Sequence, residues 1–83
     1  MMDYSTFKNR VCKRIKDLRI EKNLTQEQIS GPFMGVRTYQ KIESGFSAPN
    51  LESLFKIANA LGVHPKELIN VAISGSDEKG KKK

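Results

Sequence analysis

The segment from residue 36 to residue 44 carries side chains suited to reading nucleic-acid bases. In the DNA major groove, an arginine fork can pair with guanine and a glutamine amide can pair with adenine. The same segment has apolar residues three positions apart, Tyr39 and Ile42, which indicates a helix with one buried face. The polar residues near its start are Arg37, Thr38, Gln40 and Lys41. We expect them to lie on the exposed face and to contact DNA.

The residues immediately before this segment predict a second short helix and a tight turn. Thr25 is a candidate N-cap, and Gln28 three residues later would complete a capping box. Gly31-Pro32 should end the helix, because a residue before proline is pushed out of helical geometry. Phe33 and Met34 are then free to fill the core beneath the turn. Two short helices in this order favour major-groove binding by the second.

Three more helices complete the predicted fold. The first should run from a cap at Ser5 or Thr6 to about Lys22, where Asn23 ends it, with one apolar stripe formed by Phe7, Val11, Ile15 and Leu18. Asn50 should cap a fourth helix that ends at Gly62, with a broad apolar face made of Leu51, Leu54, Phe55, Ile57, Ala58 and Leu61. Pro65 should open a fifth helix that carries Leu68, Ile69, Ala72 and Ile73. The predicted fold class is a compact, all-α, five-helix domain over residues 1–73.

Basic charge is concentrated in two parts of the chain. The 83 residues carry a net charge of +6, and residues 8–22 alone hold seven basic groups against Asp17 and Glu21. Such a cluster suits a polyanion, although a solvated helix face is the alternative explanation. Residues 74–83 are polar and lysine-rich, so we predict a disordered basic tail.

Several classes of site and location are disfavoured by the composition. The single cysteine, Cys12, excludes an internal disulfide, and with the single His64 it makes a protein-only zinc site improbable. His64 precedes Pro65, where helix capping is the ordinary role. No Ser/His/Asp arrangement, glycine-rich phosphate loop or paired-carboxylate cleft is present, so we predict no enzyme and no cofactor. No apolar run is long enough for a bilayer span or a signal peptide, which predicts a cytoplasmic protein without membrane contact.

Taken together, the motifs resemble the XRE family of helix-turn-helix proteins, the relatives of lambda-type repressors, Cro and restriction-modification controllers. The resemblance covers roughly residues 11 to 69 and rests on an Arg-Ile pair in the first helix, LeuThrGlnGlu, IleGluSerGly and the run AlaProAsnLeuGluSerLeuPheLysIleAlaAsnAlaLeuGlyVal. Two departures distinguish this chain. The stretch from Ile29 to Val36 is one residue shorter than usual, and Gly35 stands where a Ser or Thr usually caps the recognition helix.

The resemblance implies a role for individual residues. Gln26 and Thr25 match positions that contact DNA phosphate, and Ser44 with the backbone at Gly45 and Phe46 matches a loop that often does the same. The positions from which relatives contact base edges fall at Val36, Arg37 and Lys41, with Thr38 and Gln40 as flanking candidates. Val36 could touch a thymine methyl group or merely pack.

Arg19 and Glu43 match a family ion pair that ties the first helix to the end of the recognition helix. We interpret this pair as a structural contact. A partly buried Arg–carboxylate contact can be bidentate and can thereby fix the orientation of the two helices.

The predicted function is a transcriptional repressor or other regulator that binds a pseudo-palindromic operator in double-stranded DNA as a homodimer. One short recognition helix reads only a few base pairs, so two half-sites are expected. Candidate dimer residues are Ile69, Ala72 and Ile73, which could otherwise only cover the monomer's core. No small-molecule effector is expected, because the chain has no room for a sensing domain. The alternative function is a protein-interaction module, such as the antitoxin of a toxin–antitoxin pair.

Overall fold

Four α-helices and one short 3-10 helix account for most of the residues that the computed structural model describes, which are 2–32 and 34–72. The α-helices are α1 (Tyr4–Glu21), α2 (Gln26–Ser30), α3 (Val36–Glu43) and α4 (Leu51–Leu61), and the 3-10 helix follows at Pro65–Glu67. The all-α class is therefore confirmed. None of the helices in this described part is long and apolar enough to cross a membrane.

Most helix ends lie where the local sequence predicts them. Thr25 Oγ1 accepts a hydrogen bond from the Gln28 backbone at 3.0 Å, and Gln28 Oε1 accepts one from the Thr25 backbone at 2.7 Å, which completes the capping box. Asn50 caps α4 through its side chain, and Gly62 ends that helix with a φ of 74°. The start of α1 was predicted too late. Asp3, rather than Ser5 or Thr6, is the cap, because its carboxylate accepts the Thr6 N–H at 2.8 Å.

The predicted fifth α-helix is wrong in kind. His64 Nδ1 accepts the Lys66 N–H at 3.0 Å. The turn that follows has hydrogen bonds between residues three positions apart, as in a 3-10 helix, such as Leu68 N to Pro65 O at 3.0 Å. This tight turn is enough to bury Leu68 completely. Arg10 Nη1 then donates to Ala72 O at 2.7 Å, so a side chain of α1 holds the segment that follows the 3-10 helix. Ile73 and the predicted basic tail lie outside the described residues.

The core is built from one face of each helix. Its fully or nearly buried apolar members are Val11, Cys12, Ile15, Leu18, Ile29, Tyr39, Ile42, Ile57, Ala58, Leu61 and Leu68. Met34 packs against this core as expected, while Phe33 lies outside the described residues. The broad apolar face predicted for α4 is not buried along its whole width, since Leu51 is 84% exposed and Phe55 is 57% exposed. These two residues form their own i, i+4 stripe, which is rotated away from the buried seam of α4.

Candidate nucleic-acid interface

The recognition-helix candidate α3 is anchored by one face and open on the other. Tyr39, Ile42 and Glu43 are buried. The exposed side chains are those of Arg37, Thr38, Gln40 and Lys41, while Val36 at the helix start is half-buried. Four of the five predicted base-contacting residues are therefore exposed, and Arg37, Gln40 and Lys41 line one shallow concavity. Gly35 precedes the helix, and no side-chain hydrogen bond among the described residues caps the start of α3.

The anchor of α3 is a bidentate ion pair to α1. Arg19 Nε lies 2.7 Å from Glu43 Oε2, and Arg19 Nη2 lies 2.9 Å from Glu43 Oε1. The Tyr39 hydroxyl donates to the same carboxylate at 2.6 Å, and Arg19 also donates to Leu24 O at 2.8 Å. The predicted structural pair is therefore present. It ties α1, the start of the α2 segment and the end of α3 into one unit.

The ion pair changes how its members titrate. Burial raises the pKa of the Glu43 carboxyl, but the hydrogen bonds from Arg19, Tyr39 and Gln26 outweigh burial and leave the pKa below its usual value. The hydrogen bond to Glu43 raises the pKa of Arg19. Burial, together with the neighbouring Glu43, raises the pKa of Tyr39. The pair is therefore fully charged at neutral pH, as a permanent anchor requires.

A chain of side-chain amides extends from this ion pair to the exposed face of α3. Gln26 Nε2 donates to Glu43 Oε1 at 3.0 Å, and Gln40 Nε2 donates to Gln26 Oε1 at 3.0 Å. A carboxylate can only accept, so the Gln26 nitrogen must face Glu43 and its oxygen must face Gln40. Sequence reasoning placed Gln26 and Gln40 in separate roles and missed this contact, because they are 14 positions apart on different helices.

The loop after α3 is fixed to both α3 and α1. Lys8 Nζ donates to Gly45 O at 2.9 Å. The backbone of Gly45 has a φ of 86°, which residues other than glycine rarely adopt. Ser44 Oγ donates to Lys41 O at 3.1 Å. The Phe46 N–H donates to Lys41 O at 2.9 Å and lies 3.4 Å from Ser44 Oγ. The phosphate candidates Ser44 and Phe46 thus sit on a well-tethered loop, where the amide of Phe46 already has partners.

The second group of phosphate candidates lies at the start of α2. Thr25 is exposed and accepts a hydrogen bond as the N-cap, which leaves its hydroxyl proton able to donate. Gln26 is half-buried and is oriented by its two amide contacts. Both residues belong to the same connected unit as α3, so their positions relative to the base-contacting candidates are set by the fold.

An apolar groove lies along α4 and the 3-10 helix. It encloses about 750 Å³ and is lined by Leu51, Glu52, Leu54, Phe55, His64, Pro65, Lys66 and Ile69, and we call it the α4 groove. Of the predicted dimer residues, Ile69 lines it and is 47% exposed, whereas Ala72 is half-buried and Ile73 is outside the described residues. Leu51 and Phe55 belong to the predicted apolar face of α4, and helical periodicity could not tell that their part of this face is exposed.

Metal-ligating side chains do not cluster in the part of the chain that the structure describes. Among residues 2–32 and 34–72, no three or more His, Cys, Asp or Glu side chains come together as a metal ion would need. Cys12 is buried, and burial raises the pKa of its thiol. Its Sγ lies 3.9 Å from Ser47 O, so it packs beneath the loop that follows α3.

Comparison with known proteins places this arrangement in a family. Residues 15–68 match the XRE-type helix-turn-helix family model. The chain is 39% identical over 71 residues to the cryptic phage CTXphi transcriptional repressor RstR of Vibrio cholerae, covering 84% of this chain and 64% of that repressor. It is 34% identical over 71 residues to the control protein C.BamHI of Bacillus amyloliquefaciens, covering 83% of this chain and 88% of that protein.

A solved structure shares the same fold. The crystal structure of the restriction-modification controller protein C.AhdI from Aeromonas hydrophila superimposes with a TM-score of 0.70 and 27% identity, over 78% of this chain and 98% of that one. The family model and the two relatives agree with this match. The chain therefore belongs to the XRE-type helix-turn-helix family, whose members are DNA-binding transcriptional regulators and not enzymes.

Proposed function

We propose that this protein is a transcriptional regulator that binds a pseudo-palindromic operator as a homodimer and acts as a repressor. The observation that carries the proposal is the geometry of α3. Its exposed face holds Arg37, Gln40 and Lys41, while its buried face is fixed to α1 through the Glu43–Arg19 ion pair. A helix held rigidly with polar, base-reading side chains outward is suited to the major groove.

The side chains divide by chemistry into base readers and phosphate contacts. Arg37 can pair with O6 and N7 of one guanine, and Lys41, one turn further, can reach a base or a phosphate. Val36, Thr38 and Gln40 are the remaining base-contacting candidates. Phosphate contacts are assigned to Thr25 and Gln26 at the positive end of α2 and to Ser44 in the loop after α3, whereas the Phe46 amide, the other candidate in that loop, is already bonded to Lys41 O. These phosphate contacts would set the register of α3 without carrying sequence information.

The second copy is assigned to the α4 groove. Leu51, Phe55 and Ile69 give it an apolar centre, and Glu52 and Lys66 place charges of both signs on its lining. A two-fold interface uses the same patch on both copies, so it must be complementary to itself. Opposite charges beside an apolar centre meet that requirement, because the exposed Glu52, which pairs with Lys56 of its own copy at 3.3 Å, can also face Lys66 of the other copy.

Repression is supported by what the relatives' names say of them. One is a phage transcriptional repressor and two are restriction-modification or control proteins. In this protein, α3 could block a promoter simply by occupying an operator that overlaps it.

The test is selection of bound fragments from the source organism's genome at near-physiological salt, with Arg37→Ala in parallel. The proposal predicts enrichment of one inverted-repeat motif by the wild type and loss of that enrichment in the variant. Diffuse binding that salt abolishes would contradict it, because nonspecific phosphate contacts alone behave that way. A protein partner would then be the better explanation of the fold's exposed surfaces.

A further inference from the structure

An exposed aromatic ring lies beside the polar face of α3. Phe46 is 76% exposed. It shares a shallow concavity of about 420 Å³ with Arg37, Gln40, Lys41 and Ser44. Its amide is already hydrogen-bonded to Lys41 O at 2.9 Å, so the group it offers outward is the ring. A phosphate-contacting role for the backbone leaves this ring unexplained.

The ring is mounted on a rigid support. Both the Phe46 and the Ser47 amides donate to Lys41 O, at 2.9 and 3.0 Å, which ties the loop to the last turn of α3. Lys8 binds Gly45 O at 2.9 Å and ties the same loop to α1. The Lys41 ammonium lies 5.9 Å from the centre of the Phe46 ring. The backbone that carries the ring is therefore fixed relative to the base-reading side chains before DNA arrives.

We propose that Phe46 is a specificity-determining residue that contacts the 5-methyl group of a thymine at the edge of the major groove. The inference rests on the proposed function and adds a base identity to it. The thymine methyl is the one apolar group that a base pair presents in the major groove, and a phenylalanine ring is among the side chains that contact it. An exposed ring next to Arg37 and Lys41 would therefore find its apolar contact on DNA in the thymine methyl group.

The contact would leave a signature that the hydrogen bonds of Arg37 and Lys41 cannot produce. Lys41 and Arg37 hydrogen-bond to oxygen and nitrogen atoms, which are the same in thymine and uracil. Only an apolar contact senses the methyl group. Burial of one methyl-sized group corresponds to about a fourfold change in affinity per half-site.

The experiment uses the full chain and the operator that the genomic selection identifies. Each thymine of one half-site, and its symmetry mate, is replaced by deoxyuridine, which keeps the base pairing and removes only the methyl group. We expect a thymine pair at which the replacement weakens wild-type binding by about fourfold per half-site and at which this response depends on Phe46. Phe46→Ala should bind the two DNAs equally, while Phe46→Leu, which keeps an apolar side chain, should still discriminate. Ile20→Ala, at an apolar residue that is 53% exposed on α1, should behave as the wild type.

The outcomes separate this inference from the proposed function. If the wild type selects an operator but no thymine responds to uracil, or if Phe46→Ala still discriminates, the thymine contact is overturned and the regulator remains. If the wild type selects no sequence, the proposed function fails and the thymine contact fails with it.

Discussion

Gln40 on α3 donates a hydrogen bond to Gln26 on α2 across the helix-turn-helix, with 3.0 Å between Nε2 and Oε1. Gln26 in turn donates to Glu43, which is held by Arg19. The direction of each hydrogen bond from Gln40 through Gln26 to Glu43 is fixed by the Glu43 carboxylate, since a carboxylate can only accept. A residue assigned to phosphate and a residue assigned to bases are thus oriented by the same buried ion pair.

This contact predicts that Gln26 and Gln40 act together in DNA binding. Gln26→Ala should weaken binding to specific and nonspecific DNA by similar factors, because phosphate contacts carry no sequence information. The effects of Gln26→Ala and Gln40→Ala should depart from additivity by about 0.5–3 kcal/mol in a double-mutant cycle of operator affinity. The matched control is Thr38→Ala, exposed on the same helix, which should combine with Gln26→Ala additively to within about 0.5 kcal/mol. Additive effects for the glutamine pair would show that their contact does not matter for binding.

Arg37 should read a single base pair. Arg37→Ala is expected to cost about 1–3 kcal/mol of operator affinity and to relax specificity at one position. Arg37→Lys keeps the charge but loses the planar fork, so it should retain the salt dependence and still lose the base preference. Affinity measured against operators with each base substituted checks this. Equal losses for specific and nonspecific DNA would mean that Arg37 contacts phosphate instead.

The Glu43 network makes stability depend on pH in a defined direction. The pKa of Glu43 is lowered in the folded protein, so its stabilising contribution is complete above the unfolded value of about 4.3 and is lost as pH falls through the folded pKa. Tyr39→Phe removes one hydrogen bond to this carboxylate and should lower the free energy of unfolding near pH 7 by about 1.5–3 kcal/mol. Urea unfolding measures both quantities.

The pH series provides the check on that assignment. The difference in stability between the wild type and Tyr39→Phe should be largest above about pH 5 and should shrink as Glu43 becomes protonated. The other carboxylates contribute equally to the stability of both proteins, so their contributions cancel in this difference and only the Glu43 network remains. If the stability difference between the wild type and Tyr39→Phe stays constant from pH 7 to pH 3, the contribution of Tyr39 does not depend on the charge of Glu43.

The α4 groove should hold the second copy. Phe55→Asp places a carboxylate in the apolar centre of the groove. Because this charge would be buried without a partner in the dimer interface, dimerisation should weaken by at least about tenfold. Sedimentation of the free protein and of its DNA complex measures the stoichiometry. Ile20→Asp introduces the same charge at an exposed apolar residue outside the groove and should leave the dimer intact. A wild type that is monomeric both free and on DNA would rule out this assignment.

Local chemistry explains why much of the fold could be predicted from the sequence. The Thr25–Gln28 capping box, the Asn50 cap and the glycine that ends α4 depend on residues only a few positions apart. The Arg19–Glu43 pair was accessible for a different reason, because the family resemblance supplied it. None of these features required knowledge of how the helices pack.

The errors occurred where packing decides the outcome. Leu51 and Phe55 fit the helical apolar pattern as well as Ile57 does, and only the orientation of α4 against the core places them at the surface. The last helix is a single 3-10 turn, which is enough to bury Leu68, and Arg10 of α1 then holds the following segment at the Ala72 carbonyl. The Gln26–Gln40 contact likewise depends on the angle between two helices, which periodicity does not encode.

The account's central claim is that two copies of α3 read two half-sites of one operator. Its most direct test compares affinity for the selected inverted repeat with affinity for the same repeat carrying five extra base pairs between the half-sites. Half-sites read by a dimer lie about 10 base pairs apart, so this insertion turns one of them to the opposite face of the duplex. We expect affinity to fall to that of a single half-site. Equal affinity for the two DNAs would contradict the claim, because each copy would then be binding alone.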